Sequence, residues 1–199
     1  MDTLSYMAVH SLTDLPTVFT HAQALALGVS DRDLYQLRDA GSIERLARGL
    51  YALPGLEADP DLVEVAFRAP LAALCLTSAL AHHGLADDIP SLIDAALPRS
   101  QRPPRMTAPV QWHRFDDATF NIGRSSLVLT GDISIGIYSP TRSIIDAYRL
   151  RHLYGPDQAH EALKRWLQGV GNQPSELLEM CKSFPRAEPA LRSALEVLL

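Results

Sequence analysis

Apolar residues between Thr20 and Gly41 recur at helical intervals, and the pattern breaks once, at Gly28. The break predicts two short helices joined by a turn. Thr20 is placed to cap the first, and Ala22 to Leu27 are good helix formers. Ser30 is placed to cap the second, with Asp33 as its capping-box partner three residues on. Leu34 and Leu37 share one face, and Gly41 supplies the left-handed residue that ends a helix cheaply. Small Ala24 lies four residues before the Gly28 turn, where crossing helices need room. Beyond Gly41 the period shortens. Ile43 and Leu46 lead into an Ala47-Arg48-Gly49 corner, and Leu50, Tyr51 and Leu53 lead out of it, which predicts a β-hairpin.

Leu53 to Asp61 collects two prolines, a glycine and three acids and reads as a boundary. It divides the chain into residues 1–57 and 58–199. In the second part, 62–67 and 71–80 read as helices, while 91–98 and 110–115 read as strands. The stretch 125–139 gives one or two more strands around a Gly131-Asp132 turn. Helices follow to the end. Ser139 caps one that has Pro140 in its first turn and Ile144, Ile145 and Tyr148 on its inner face. Two apolar stripes mark others: Ala159, Ala162, Leu163, Trp166 and Leu167, then Ala190, Leu191, Ala194, Leu195 and Leu198. The fold class expected is α+β, an N-terminal helix-turn-helix with a hairpin wing followed by a mixed α+β domain with a helical C-terminal half.

Composition adds bounds. The 199 residues are 47% hydrophobic and 21% charged, as in an ordinary globular protein. No apolar run reaches the roughly 18 residues of a membrane span, and Asp2 with no basic flank argues against a secretory signal, so a cytoplasmic location is expected. Cys75 and Cys181 lie far apart and read as buried reduced thiols. The net charge of −5 excludes a generic basic nucleic-acid coat. Lys164 and Lys182 are the only lysines, and the remaining cations are arginines. Guanidinium grips guanine edges and phosphates, although a high-GC codon bias explains the excess equally well.

A helix-turn-helix followed at once by a hairpin is the pattern of a winged helix. Arg48 at the corner, and Arg45 on the first strand of the hairpin, would meet phosphates. The outer face of the second helix carries Asp31, Arg32, Tyr35, Gln36 and Asp39. Arg32 suits guanine and Gln36 suits adenine; the other reading is a solvated face with Arg32 paired to Asp31 or Asp39. Residues 1–57 hold four arginines against seven acids, which opposes approach to a polyanion unless the charges are segregated. Arg99, Arg102 and Arg105 form either a phosphate-contacting loop or a solvated one. Arg149, Arg151, Lys164 and Arg165 read as outer helix faces.

Enzyme signatures fail. Adjacent His82 and His83 point about 100° apart on a helix and cannot readily share one metal ion. Asp87-Asp88 and Asp116-Asp117 sit at turns. Asp94 lies in a strand but lacks the second acid and following lysine of a strand-acid nuclease. No phosphate-binding loop, nucleophile elbow or Gly-Ser turn with paired aspartates appears. Neither a metal nor a cofactor is expected, nor enzymatic activity.

Three segments resemble the AbiEi antitoxins of type IV toxin–antitoxin and abortive-infection systems: "LYQLRDAGSIERLARGLYALPG", "LTSALAHHGLADDIPSLIDAALPRSQRPPR" and "YSPTRSIIDAYRLRHLYGPDQAHEALKRWL". They occur in the family's order within residues 19–170. The resemblance implies a winged helix that binds double-stranded operator repeats in its own promoter and represses its own operon. It also implies a nucleotidyltransferase-type toxin, countered without a stable complex. A monomer or weak dimer is expected. Carried over by position, the DNA contacts would be Arg32, Gln36, Arg38, Arg45 and Arg48, with Tyr35 beside them. The alternatives are a stand-alone regulator, an interaction module whose winged helix has lost DNA binding, and a degenerate enzyme.

Overall fold

The computed structural model describes residues 14–87 and 90–199. Among them run nine helices and two sheets, a mixed α+β fold. Asp2 and Asp88 lie outside the described residues. The chain divides into two compact units: the residues up to Arg68 with 105–108 and 128–134, and the segments 69–104, 109–127 and 135–199.

The first unit contains β1 (Val18–Thr20), α1 (His21–Ala26), α2 (Asp31–Asp39), β2 (Glu44–Ala47), β3 (Leu50–Ala52) and α3 (Pro60–Arg68). The strands form an antiparallel sheet in the order β1-β3-β2. β1 was not anticipated from the sequence; Thr20 both ends it and caps α1. Strand periodicity gives the sheet two faces. Phe19 and Arg45 both lie opposite Tyr51 in register, and Val18 and Glu44 both lie opposite Ala52. Phe19 and Tyr51 close the helix-turn-helix core with Leu15, Ala24, Val29, Leu34, Leu37 and Ile43. Val18 and Ala52 instead join Val63 of α3, together with Leu129 and Ile133. Full burial of a Phe19- or Ile43-sized side chain stabilises by roughly 1.5–3 kcal/mol, and both are essentially inaccessible.

One carboxylate ties α3 to its surroundings. Glu64 is 2% exposed. It accepts hydrogen bonds from the backbone N–H groups of Thr107 and Ala108, at 3.0 and 2.8 Å, and from Arg68 Nε at 2.6 Å. Arg68 Nη2 donates onward to the Arg48 carbonyl at 2.7 Å. Burial alone would push the Glu64 carboxyl up. The Thr107 and Ala108 amides and the Arg68 guanidinium outweigh it and hold the carboxyl below its usual range.

The second unit is built on a sheet with the strand order β6-β5-β4-β8-β7. Its strands are β4 (Ala73–Leu74), β5 (Ile93–Pro98), β6 (Val110–Phe115), β7 (Arg124–Thr130) and β8 (Ile133–Tyr138). By packing, the tip of the β7–β8 hairpin belongs to the first unit. The expected helix over 71–80 is in fact two elements, β4 and α4 (Leu76–His82). Helix propensity lost to tertiary pairing: Ala73 and Leu74 are buried and pair with β5 on one side and β8 on the other. Leu76, at φ 44°, marks the break.

α5 (Pro140–Arg149), α6 (Arg151–Tyr154), α7 (Pro156–Leu167), α8 (Pro174–Cys181) and α9 (Glu188–Leu198) complete the chain. Ser139 caps α5 through Arg142 N–H, and the expected inner-face residues Ile144, Ile145 and Tyr148 share one core with Leu163, Trp166 and Leu191. On α5, Arg142 and Asp146 are fully buried. Arg142 donates to Asp146 and to the carbonyls of Thr119 and Ile122, which fixes the connection between β6 and β7. Cys75 and Cys181 are free and buried.

Glu64→Ala strands two amide donors and leaves Arg68 unpaired. It is expected to lower unfolding free energy by about 2–3 kcal/mol in urea titrations. The folded carboxyl titrates below its unfolded value, so its contribution is complete above about pH 4.3 and fades as pH falls through the folded pKa. The stability gap between the native protein and Glu64→Gln should therefore be widest above pH 5 and narrow toward pH 3.

Candidate nucleic-acid interface

α2 starts and stops where local chemistry requires. Ser30 Oγ accepts the Asp33 N–H at 3.2 Å, and the Asp33 carboxylate reaches back to the Ser30 N–H at 3.2 Å. The bonds from Ser30 hold the Asp33 carboxyl below its usual range. Asp31 and Asp33 both occupy the first turn, where the positive end of the helix dipole favours them. Gly41 ends the helix at φ +71°. Leu34 and Leu37 face the core, which leaves Arg32, Tyr35 and Gln36 exposed on one stripe, with Tyr35 60% accessible.

The hairpin turn is pinned from two sides. Gly49, at φ +73°, lets the chain reverse, and its carbonyl accepts the His21 N–H at 3.0 Å. The preceding Arg48 carbonyl is held by Arg68. The Arg48 side chain itself stays exposed at the tip. Arg45 lies opposite Tyr51, on the sheet face that packs against α1 and α2. Its Nε donates to the Ala47 carbonyl at 3.3 Å across the bulge between Arg45 and Ala47. Glu44 lies on the other face.

The candidate cations are therefore in different states. Among the described residues, Arg32, Arg45 and Arg48 form no ion pair. Arg38 is engaged: it donates to Asp39 at 2.7 Å and lies 5.1 Å over the Tyr35 ring. The Asp39 hydrogen bond pushes its guanidinium pKa up. Asp31 pairs with His21 Nε2 at 2.5 Å and forms no pair with Arg32. Sequence reasoning missed His21 and Tyr51, which line a small hollow with Asp31, Tyr35 and Arg38. An alternation count over β3 could have flagged Tyr51 as the residue facing α2.

Residues 14–54 match the family model described as "Transcriptional regulator, AbiEi antitoxin". The AbiEi-matched segment spans β1 to β3, so it contains α1, α2 and the whole first sheet. No curated protein matches the chain. The crystal structure of the RV2827C protein from Mycobacterium tuberculosis is similar in fold, with a TM-score of 0.56 and 21% identity over 98% of this chain and 80% of that one.

The other expected positions lie outside the AbiEi-matched segment. Arg102 and Arg105 are exposed on the loop between β5 and β6, while Arg99 lines a cleft of the second unit. Arg149, expected on an outer helix face, is instead mostly enclosed at 18% exposure and paired with Asp146 at 2.8 Å. Tertiary packing of α5 against Phe115 and Phe184 draws it inward. His83 turns from His82 to bond the Tyr138 carbonyl at 2.7 Å. Among the described residues no three histidine, cysteine or acidic groups gather as a metal site would require, and no helix is long and apolar enough to cross a membrane.

Ser30→Ala removes the cap of α2. The expected loss is about 1 kcal/mol, seen as a lower urea midpoint with an unchanged slope.

Proposed function

We propose that the chain is a DNA-binding transcriptional regulator that acts as the antitoxin of a type IV toxin–antitoxin system. In this reading the N-terminal segment is a winged helix. α2 enters the major groove and presents Arg32, Tyr35 and Gln36 to base edges. β2 and β3 form the wing, from which Arg45 and Arg48 reach phosphates. Arg38 would exchange Asp39 for a phosphate on binding. Arg102 and Arg105 would add phosphate contacts outside the groove. The protein would repress its own operon and counter a nucleotidyltransferase-type toxin without forming a stable complex with it.

One observation carries this reading. The segment that matches the regulator family is the segment in which the exposed stripe of α2 and the Arg45 face of the hairpin adjoin a common core. Its acids keep their charge, and Glu44 is segregated from Arg45 on the opposite face of the hairpin.

A gel shift with the protein's own upstream DNA tests the proposal, and failure to retard that DNA at low salt sinks it. Arg48→Ala should weaken binding five- to tenfold on every duplex and reduce the log–log salt slope by about 0.9. Arg32→Ala should instead flatten the preference at one base-pair position, read by competition with single-substituted operators. The antitoxin half is tested by co-expression: growth arrest caused by the product of the adjacent toxin gene should be relieved by the full chain.

A further inference from the structure

The second unit holds an open cleft of about 1330 Å³. Its floor is the β5–β6 edge of the sheet. Its walls are α6, the start of α7 and the turn between α8 and α9. The volume exceeds the roughly 300–1,000 Å³ of a small-molecule site and suits an extended ligand.

The charge of the cleft is opposite to that of the chain. Arg99, Arg114, Arg149, Arg151 and Arg186 line it, against Asp94 and Asp116. Both acids are engaged. Asp94 is 4% exposed and holds His113 Nε2 at 2.7 Å and the Tyr154 hydroxyl at 3.1 Å, while Asp116 caps a turn through the Ala118 N–H at 3.0 Å. Arg99, Arg114, Arg151 and Arg186 are exposed and form no ion pair among the described residues. Arg149, the fifth arginine of the lining, is paired with Asp146 behind the cleft surface.

Aromatic rings lie among these cations. Trp112 and Tyr154 line the cleft half-buried, on opposite sides of the edge strand β6 around which the cleft wraps. The Tyr154 hydroxyl donates to Asp94, and burial and that carboxylate push its pKa well above its ordinary value. A groove that combines arginines for phosphates with flat rings for bases is the kind that binds unpaired nucleotides, whose base faces are free to stack. A duplex hides those faces.

We propose that this cleft binds single-stranded nucleic acid: Arg114, Arg151 and Arg186 pair with successive phosphates, Trp112 and Tyr154 stack bases, and the Asp94–His113–Tyr154 cluster meets a base or sugar edge at the floor. The site lies entirely within the second unit and does not depend on the operator reading.

Fluorescence anisotropy of the full chain with labelled 12-mers of uridylate and of thymidylate tests it. Saturable binding of either strand is expected, with quenching of tryptophan emission. Arg151→Ala combined with Arg186→Ala should weaken binding at least tenfold and lower the salt slope by about 1.4, while retention of the protein's own upstream duplex changes less than twofold. Trp112→Phe should keep affinity within about threefold, because a stacking ring remains, yet lose the quenching. No saturable binding overturns the proposal. So does equal displacement of the 12-mer by duplex DNA or by ATP, or indifference to the double arginine variant in protein that melts normally. Loss of upstream-DNA binding alone would strike the operator reading and leave this one standing.

Discussion

The buried carboxylate of Glu64 organises the first unit. Thr107 and Ala108 lie more than forty positions further along the chain, yet their amides end on it. Arg68, one helical turn from Glu64, converts that anchor into a clamp on the Arg48 carbonyl. A charge this deeply buried is tolerable only when donors surround it. Here the donors come from two places that sequence order keeps apart, α3 and the loop before β6, and Arg68 carries the network on to an acceptor in the hairpin turn. Their convergence gives the arginine at the hairpin tip a fixed backbone while leaving its side chain exposed.

The same economy governs the acids of α2 and the hairpin. Asp33 closes a capping box, Asp31 meets His21 and Asp39 holds Arg38. Glu44 falls on the sheet face opposite Arg45, because adjacent residues of a strand point apart. A net count over residues 1–57 makes these carboxylates look like a barrier to a polyanion. Their placement makes most of them parts of the scaffold. Local fields, which fall off within about 10 Å at moderate salt, matter more for a groove contact than the domain total.

Legibility from sequence followed the range of the interactions. The caps at Thr20 and Ser30, the stop at Gly41 and the corner at Gly49 each depend on residues within four positions, and each stands where the sequence places it. The Ser139 cap and the helical stripes of the C-terminal half are equally local. β4 was hidden because Ala and Leu favour a helix in isolation, and only pairing with β5 and β8 makes a strand of them. β1 was hidden for the same reason: three residues have no pattern until β3 lies beside them. α3 followed a stretch rich in proline and acids, and nothing local reveals that it returns to the core beneath the hairpin.

The cleft shows why a site can be illegible even when every residue in it is conspicuous. Asp94 and His113 are separated by a loop whose length does not fix strand register. The parallel pairing places Asp94 beside Gln111 and Ala96 beside His113, so Asp94 and His113 fall on the same face of the sheet, one diagonal apart. A shift of one residue would send His113 to the opposite face and leave Asp94 buried without that partner. The burial of Asp94 therefore specifies the register, and the register in turn sets Trp112 and Arg114 on the other face of the edge strand β6 from His113, so that the cleft wraps around that edge. Tyr154 completes the arrangement from a short helix sixty positions away, bonding both members of the pair. A polar cluster held this firmly at the floor of a cationic cleft has a structural cost that packing alone does not require, since an apolar trio would fill the same space without buried polar atoms to satisfy.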